Sequence, residues 1–126
     1  ADRGIPDAVR ENLVERLAAT SGRQVLLAVD DEHVDGEQVV GVAVCFEGFS
    51  TFAGRPLLNV HDLAVTADCR GQGVGTLLLD AIARRAQELG CCRVTLEVAS
   101  DNPGAKRLYE RSGFAMAQEF WKKELT

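Results

Sequence analysis

The sequence predicts an α/β domain, a mixed sheet flanked by helices, and three observations carry that prediction. Short apolar runs of strand length take turns with longer segments whose apolar residues recur at helical spacing. An apolar run, Leu57 to Val65, leads into Arg70-Gly71-Gln72-Gly73-Val74-Gly75 and then at once into Thr76-Leu77-Leu78-Leu79. No repeat, linker or low-complexity tract interrupts this order, so residues 1–126 read as a single domain with one layered core.

Composition narrows the function classes. Of the 126 residues, 46% are hydrophobic and 26% charged, as in an ordinary globular protein. The net charge of −5 makes a nucleic-acid backbone an unfavourable partner and is compatible with a cationic substrate. No long apolar span and no basic-then-apolar leader is found, so no membrane partner is expected and a cytoplasmic location is. Cys45, Cys69, Cys91 and Cys92 match no zinc spacing, and adjacent cysteines do not readily bridge, so reduced structural thiols and no metal are expected.

The elements follow in order. From about Asp7 to Ala19, Val9, Leu13, Val14, Leu17 and Ala18 form an apolar stripe opposite Arg10, Glu11, Glu15 and Arg16, and Ser21-Gly22 ends this helix. Val25 to Val29 is a continuous apolar run, read as a buried strand. An acidic turn containing His33 and Asp35-Gly36 joins it to a strand over Val39 to Phe46, and the two should pair antiparallel. Glu47 to Pro56 reads as a loop whose aromatics, Phe46, Phe49 and Phe52, either fold onto the core or wall a substrate cleft. After the strand Leu57–Val65, a helix from about Gly73 to Leu89 should bury Leu77, Leu78, Ala81, Ile82 and Leu89, with Gly90 stopping it. Arg93 to Val98 alternates as a strand, and Asn102-Pro103 is an N-cap followed by a first helical residue. Gly113 ends that helix, and Phe114 to about Lys123 is expected to add one or two strands.

A strand entering a glycine-rich turn and a helix N-terminus is a place to hold phosphate. Glycine lets the backbone approach, the first helical N–H groups lack partners, and the helix dipole favours negative charge. A dinucleotide fingerprint would need glycine where Thr76 stands, and a P-loop would need a lysine that is absent. The pattern Arg/Gln-x-x-Gly-x-Gly/Ala is met by Arg70, Gly73 and Gly75. Downstream stands Asn102-x-x-Ala105-x-x-Leu108-Tyr109-x-x-x-Gly113-Phe114, and upstream Leu63-Ala64-Val65. These three motifs, in this order over roughly residues 25 to 123, resemble those of the GNAT superfamily of N-acetyltransferases. Phe49-Ser50-Thr51-Phe52-x-Gly54-Arg55 and Trp121 are similar to the diamine and thialysine acetyltransferase branch.

The resemblance implies acetyl-CoA as co-substrate, direct acetyl transfer to an amine in a ternary complex, and a homodimer. It also implies a GNAT-like sheet in which the strand before the turn splays from the next parallel strand. The cleft so formed, here between Leu57–Val65 and Arg93–Val98, admits the pantetheine arm. Implied cofactor-binding residues are Leu63, Ala64 and Val65 on the strand, Arg70, Gly71, Gln72, Gly73, Val74, Gly75 and Thr76 around the turn, and Asn102 and Ala105 beyond. Tyr109 takes the family position of the general acid that protonates the leaving thiolate; a phenol with a reference pKa near 10 holds its proton at pH 7. Read without the motif, Tyr109 is a core tyrosine one helical turn after Ala105.

The acceptor amine must also lose a proton, at a cost of about 4–5 kcal/mol for an amine of pKa near 10.4 at pH 7. The diamine branch carries Glu-Asp where this chain has His61-Asp62. His61 is therefore either the base, since imidazoles titrate near neutrality, or a polar residue at the sheet rim. Asp62 is the second candidate, for base duty or amine binding, ahead of Glu97 and Glu119; Cys69 has no motif that would make it a nucleophile. GNAT domains ordinarily begin with a strand and helix not evident here, so an N-terminally truncated domain is expected. The substrate expected is a polyamine or lysine-like amino acid. A protein or peptide acetyltransferase, a CoA sensor without turnover, and a structural dimerisation domain are the alternatives.

Overall fold

The structure is a computed structural model and describes residues 13–31 and 36–126. Helix α1 (Leu13–Ala19) precedes strands β1 (Arg23–Asp30), β2 (Gln38–Ser50) and β3 (Arg55–Val65). A short 3-10 turn (Ala67–Cys69), helix α2 (Val74–Glu88), strand β4 (Val94–Leu96) and helix α3 (Pro103–Arg111) follow. The four strands form one mixed sheet in the order β1-β2-β3-β4, with antiparallel pairs β1–β2 and β2–β3 and a parallel pair β3–β4. This is the α/β architecture expected, but Val25–Val29 is not the buried strand that its apolar run suggested: β1 is at the sheet edge, and Val25, Leu27 and Val29 are exposed while Ala28 faces the core. The first half of the expected helix, 7–12, and His33 and Asp35 of the acidic turn lie outside the described residues.

Alternation along the strands puts one face of the sheet against α2. Ala28, Val40, Ala43, Cys45, Leu58 and Val60 meet Leu78, Leu79, Ile82 and Ala86 in the core. Leu58, Cys45 and Ile82 are the largest side chains with essentially no exposure, each worth roughly 1.5–3 kcal/mol of transfer free energy for a side chain of Leu or Ile size. Leu77 points outward at 59% exposure, and Leu79 and Ala86 take the buried places that helical spacing alone had shared differently. The helix caps are as the sequence indicates. Asn102 Oδ1 accepts from the Ala105 N–H at 3.1 Å, Pro103 opens α3, and Gly90 and Gly113 follow the two helices in the left-handed region.

Three further expectations are corrected. Residues 47–56 are not a loop: β2 runs through Ser50, and β3 starts at Arg55. The Ser50 hydroxyl and carbonyl accept from the N–H groups of Ala53 and Gly54, closing a tight hairpin that leaves backbone groups paired. Phe49 and Phe52 consequently do not fold onto the core; they are 63% and 102% exposed at the hairpin tip. Strand β4 ends at Leu96, short of Val98. Residues 114–126 form no strand: Phe114 packs against Tyr109, and beyond it Met116, Phe120, Trp121 and Leu125 are exposed. Their apolar character suits a strand, yet a strand needs a neighbour to pair with, and none of the described strands pairs with this segment.

Candidate active site

Strand β3 carries the first half of the site, and a bulge shapes it. Val44 pairs with Asp62 while the next residue, Cys45, pairs with Val60, so β3 has one residue more than β2 at this point and His61 is the extra one. The side chains on either side of the bulge therefore keep step. Leu58 and Val60 enter the core before it, and Leu63 and Val65 pack against the same core after it. His61 and Asp62, which simple alternation would send to opposite faces, both lie on the face away from α2. The His61 ring meets the Phe46 ring edge-on with centroids 5.5 Å apart, and Phe46 is paired with Asn59 on that face. Asp62 stands across from Val44 on the same side. Both are exposed.

At the same place β3 loses its other neighbour. The parallel ladder joins Leu58 to Val94, Asn59 to Thr95 and Val60 to Leu96, and stops. From His61 to Val65 β3 is held by β2 alone among the described residues. Backbone polar groups on the open side are then left for water or a ligand. This gap lies between the two segments where the cleft was expected.

The glycine turn closes the far end. Gly71 and Gly73 have φ of 78° and 84°, and a Cβ at either would meet nothing within 4 Å. Their glycines are required by conformation and not by space. Gly73 stands at the N-cap of α2 and offers no side-chain cap; the first helical bond runs from the Leu77 N–H to the Gly73 carbonyl at 3.0 Å. The N–H groups of Val74, Gly75 and Thr76 are thus without helical partners, and the first turn holds no acidic residue, an arrangement suited to an anion. Arg70 Nε donates to the Val65 carbonyl at 3.3 Å, tying turn to strand, and Gln72 Nε2 donates to the Asp68 carbonyl at 3.2 Å.

Gly75 differs from its companions. A Cβ there would lie 2.9 Å from Leu108 Cδ2, so this glycine is a contact point between the first turn of α2 and helix α3. Leu108 precedes Tyr109, and the contact couples the glycine turn to the helix bearing the phenol. Tyr109 is half-buried, its ring edge-on to Phe114 at 6.0 Å, and burial raises its pKa, which keeps the phenol protonated further into alkaline solution. Asn102 and Ala105 are joined by the helix-capping bond.

The remaining candidates stand apart. Glu97 is exposed just past β4, and Glu119 accepts from Trp121 Nε1 at 2.9 Å in the exposed C-terminal segment. Cys69 is half-buried against the core. Among the described residues, no group of three or more His, Cys, Asp or Glu stands where it could hold a metal, and no helix is long and apolar enough to cross a membrane. The bulge was missed in the sequence, although a signal existed. Apolar spacing along 58–65 is two, then three, then two (Leu58, Val60, Leu63, Val65), and the step of three marks the extra residue.

A strand that parts from its parallel neighbour, a glycine turn and a helix N-terminus, taken together, match a known family. The model of the acetyltransferase (GNAT) family matches residues 5–114. The chain belongs to that family. The GNAT acetyl donor is acetyl-CoA, which fits the unpaired N–H groups at the start of α2. A thialysine N-epsilon-acetyltransferase of Mus musculus is 34% identical over 89 residues, 71% of this chain and 50% of that protein. An uncharacterized N-acetyltransferase of Methanocaldococcus jannaschii is 35% identical over 81 residues, 64% of this chain and 36% of that one. The matched part of the chain thus spans about a third to a half of these two relatives. A crystal structure of a probable acetyltransferase has the same GNAT fold, with a TM-score of 0.79 and 27% identity over 97% of this chain and 78% of the other.

Proposed function

We propose that this GNAT domain transfers an acetyl group from acetyl-CoA directly to a primary amine of a small molecule, a polyamine or a lysine-like amino acid. The observation that carries the reading is the bulge in β3. It sets His61 and Asp62 side by side on one face, at the point where β3 separates from β4. The pyrophosphate lies on the N–H groups of Val74, Gly75 and Thr76, and Arg70 adds positive charge to that end. The pantetheine arm follows the open side of β3 past Val65, Ala64 and Leu63, where one backbone N–H polarises the acetyl carbonyl.

The acceptor enters on the face carrying His61 and Asp62. Asp62 attracts the ammonium form, His61 takes its proton directly or through a water, and the free amine attacks the thioester carbon. As the tetrahedral intermediate collapses, the C–S bond breaks, the thiolate of CoA takes the proton of Tyr109, and the nitrogen gives up its second proton, which passes through solvent to restore the phenol. Burial suits Tyr109 to this role, because it raises the phenol pKa and so keeps the proton available for donation further into alkaline solution. The likeness to a thialysine acetyltransferase supports a substrate whose amine sits at the end of a flexible chain.

Three measurements test this. Acetyl-CoA at about 100 times its dissociation constant should stabilise the protein by roughly 2.7 kcal/mol in thermal denaturation. Thiol release should then appear with polyamines or lysine-like amino acids. No stabilisation at any concentration excludes the donor; stabilisation without thiol release from any amine or peptide leaves a CoA-binding module and removes the enzyme. His61→Ala should lower turnover, and unchanged turnover would remove the imidazole from the mechanism.

A further inference from the structure

We propose that Asn59 and Thr95 form a clamp that sets where β3 and β4 part, and that this pair is a positioning element for the pantetheine arm. The proposal rests on the acetyl-CoA reading above. Asn59 Nδ2 donates to Thr95 Oγ1 at 3.0 Å and is 3.4 Å from the Thr95 carbonyl oxygen. The two residues face each other in the parallel ladder, one pair before its end at Val60 and Leu96. Both are half-buried, so the bond is partly shielded from water.

The placement has a physical reason. Asparagine is a poor residue for the interior of a strand, and parallel pairing is slightly the weaker kind per residue. A ladder of three pairs at a sheet edge has little backbone hydrogen bonding to hold its last rung. A side chain that reaches across to the neighbouring strand adds a non-backbone tie where fraying would begin. On the other side of Asn59 stands Phe46, whose ring also meets His61, so the clamp and the proposed base share one supporting aromatic. Without the tie, the split would move back towards Leu58 and Val94, widening the cleft and displacing the thioester from His61. The glycine turn, at the opposite end of β3, would be unaffected.

That separation supplies the test. Coenzyme A uses both the turn and the cleft, whereas adenosine 3′,5′-bisphosphate keeps one of the two 5′ phosphates that meet the turn and lacks the pantetheine arm, so it reports on the turn without the cleft. Binding of each is measured by calorimetry for the parent, Asn59→Ala, Thr95→Val and the double variant; valine keeps the branched shape that suits a strand. Each single change should weaken CoA about fivefold or more, as expected for one lost hydrogen bond of about 1 kcal/mol. The bisphosphate should stay within about twofold, and the double variant should bind CoA no more weakly than Asn59→Ala, because both changes remove the same bond. Retention of CoA affinity in both single variants would overturn the clamp, as would equal loss of both ligands, which marks a general structural role. A parent that binds neither ligand would overturn the acetyl-CoA reading itself, and the clamp with it.

Discussion

The two halves of β3 share a neighbour in β2 and differ in almost every other respect. The half from Arg55 to Val60 is flanked by β4 as well as β2 at Leu58, Asn59 and Val60, sends Leu58 and Val60 into the core, and is tied to β4 by backbone and by Asn59. His61 to Val65 has lost β4, carries the bulge, and exposes His61, Asp62 and Ala64. One continuous strand is therefore scaffold for half its length and candidate site for the other half. The change occurs within a single residue, where the bulge and the end of the parallel ladder coincide. A central strand can take on chemistry without weakening the core when its core-facing residues keep their places across an insertion, as Leu58, Val60, Leu63 and Val65 do.

Substitutions should separate the halves cleanly. In the scaffold half, Leu58→Ala should cost about 2–5 kcal/mol of stability by leaving a cavity under α2. Chemical denaturation measures this loss, and turnover per folded molecule should hardly change. On the chemical side, Tyr109→Phe should cut turnover about a hundredfold or more while changing stability by less than about 1 kcal/mol. The residual activity of that variant should no longer fall on the alkaline side where the parent's does, because the raised phenol pKa sets that limb above the ordinary value of 10.

The core beneath β2 offers a pH test of the scaffold. Burial raises the Cys45 pKa from 9.0 to about 11. The folded state thus holds this proton more tightly than the unfolded chain, so the contribution is complete below pH 9 and is lost as pH rises from about 9 to about 11, for roughly 2–3 kcal/mol. Stability curves for the parent and Cys45→Ala should converge across that window. A one-residue deletion is the sharpest test of the bulge. Deleting His61 lets Asp62 face Val44 in regular register and leaves the four core residues alternating correctly. The fold should survive with a change of about 1 kcal/mol, whereas acetyl transfer should be lost; a chain that cannot fold without His61 would show the bulge to be structural.

Much of this protein was legible from local chemistry. The helix ends at Asn102-Pro103, Gly90 and Gly113, the periodicity of α2 and the conformation of the glycine turn depend on residues a few positions apart. Their signatures survive in one dimension for that reason. The motifs around Arg70–Gly75 and Asn102–Phe114 carried the family for the same reason. What failed was long-range pairing. Glu47 to Pro56 looked like a loop because Gly48, Gly54 and Pro56 are loop residues, but pairing with β3 extends β2 through Ser50. Phe114 to Lys123 looked like strands, and no described strand pairs with it.

The sequence by itself determined an α/β chain with a glycine-rich turn at the start of one helix and a phenol on the next helix, the one capped by Asn102. Tertiary structure alone decided that Gly75 is a contact with Leu108, that β4 leaves β3 after three pairs, and that His61 and Asp62 share a face. The physical reason is that a glycine's φ and a helix cap are settled among neighbours in the chain. A bulge exists only relative to the strand opposite it, and Val44 and Cys45 lie well over a dozen residues from the His61 that slips between their partners.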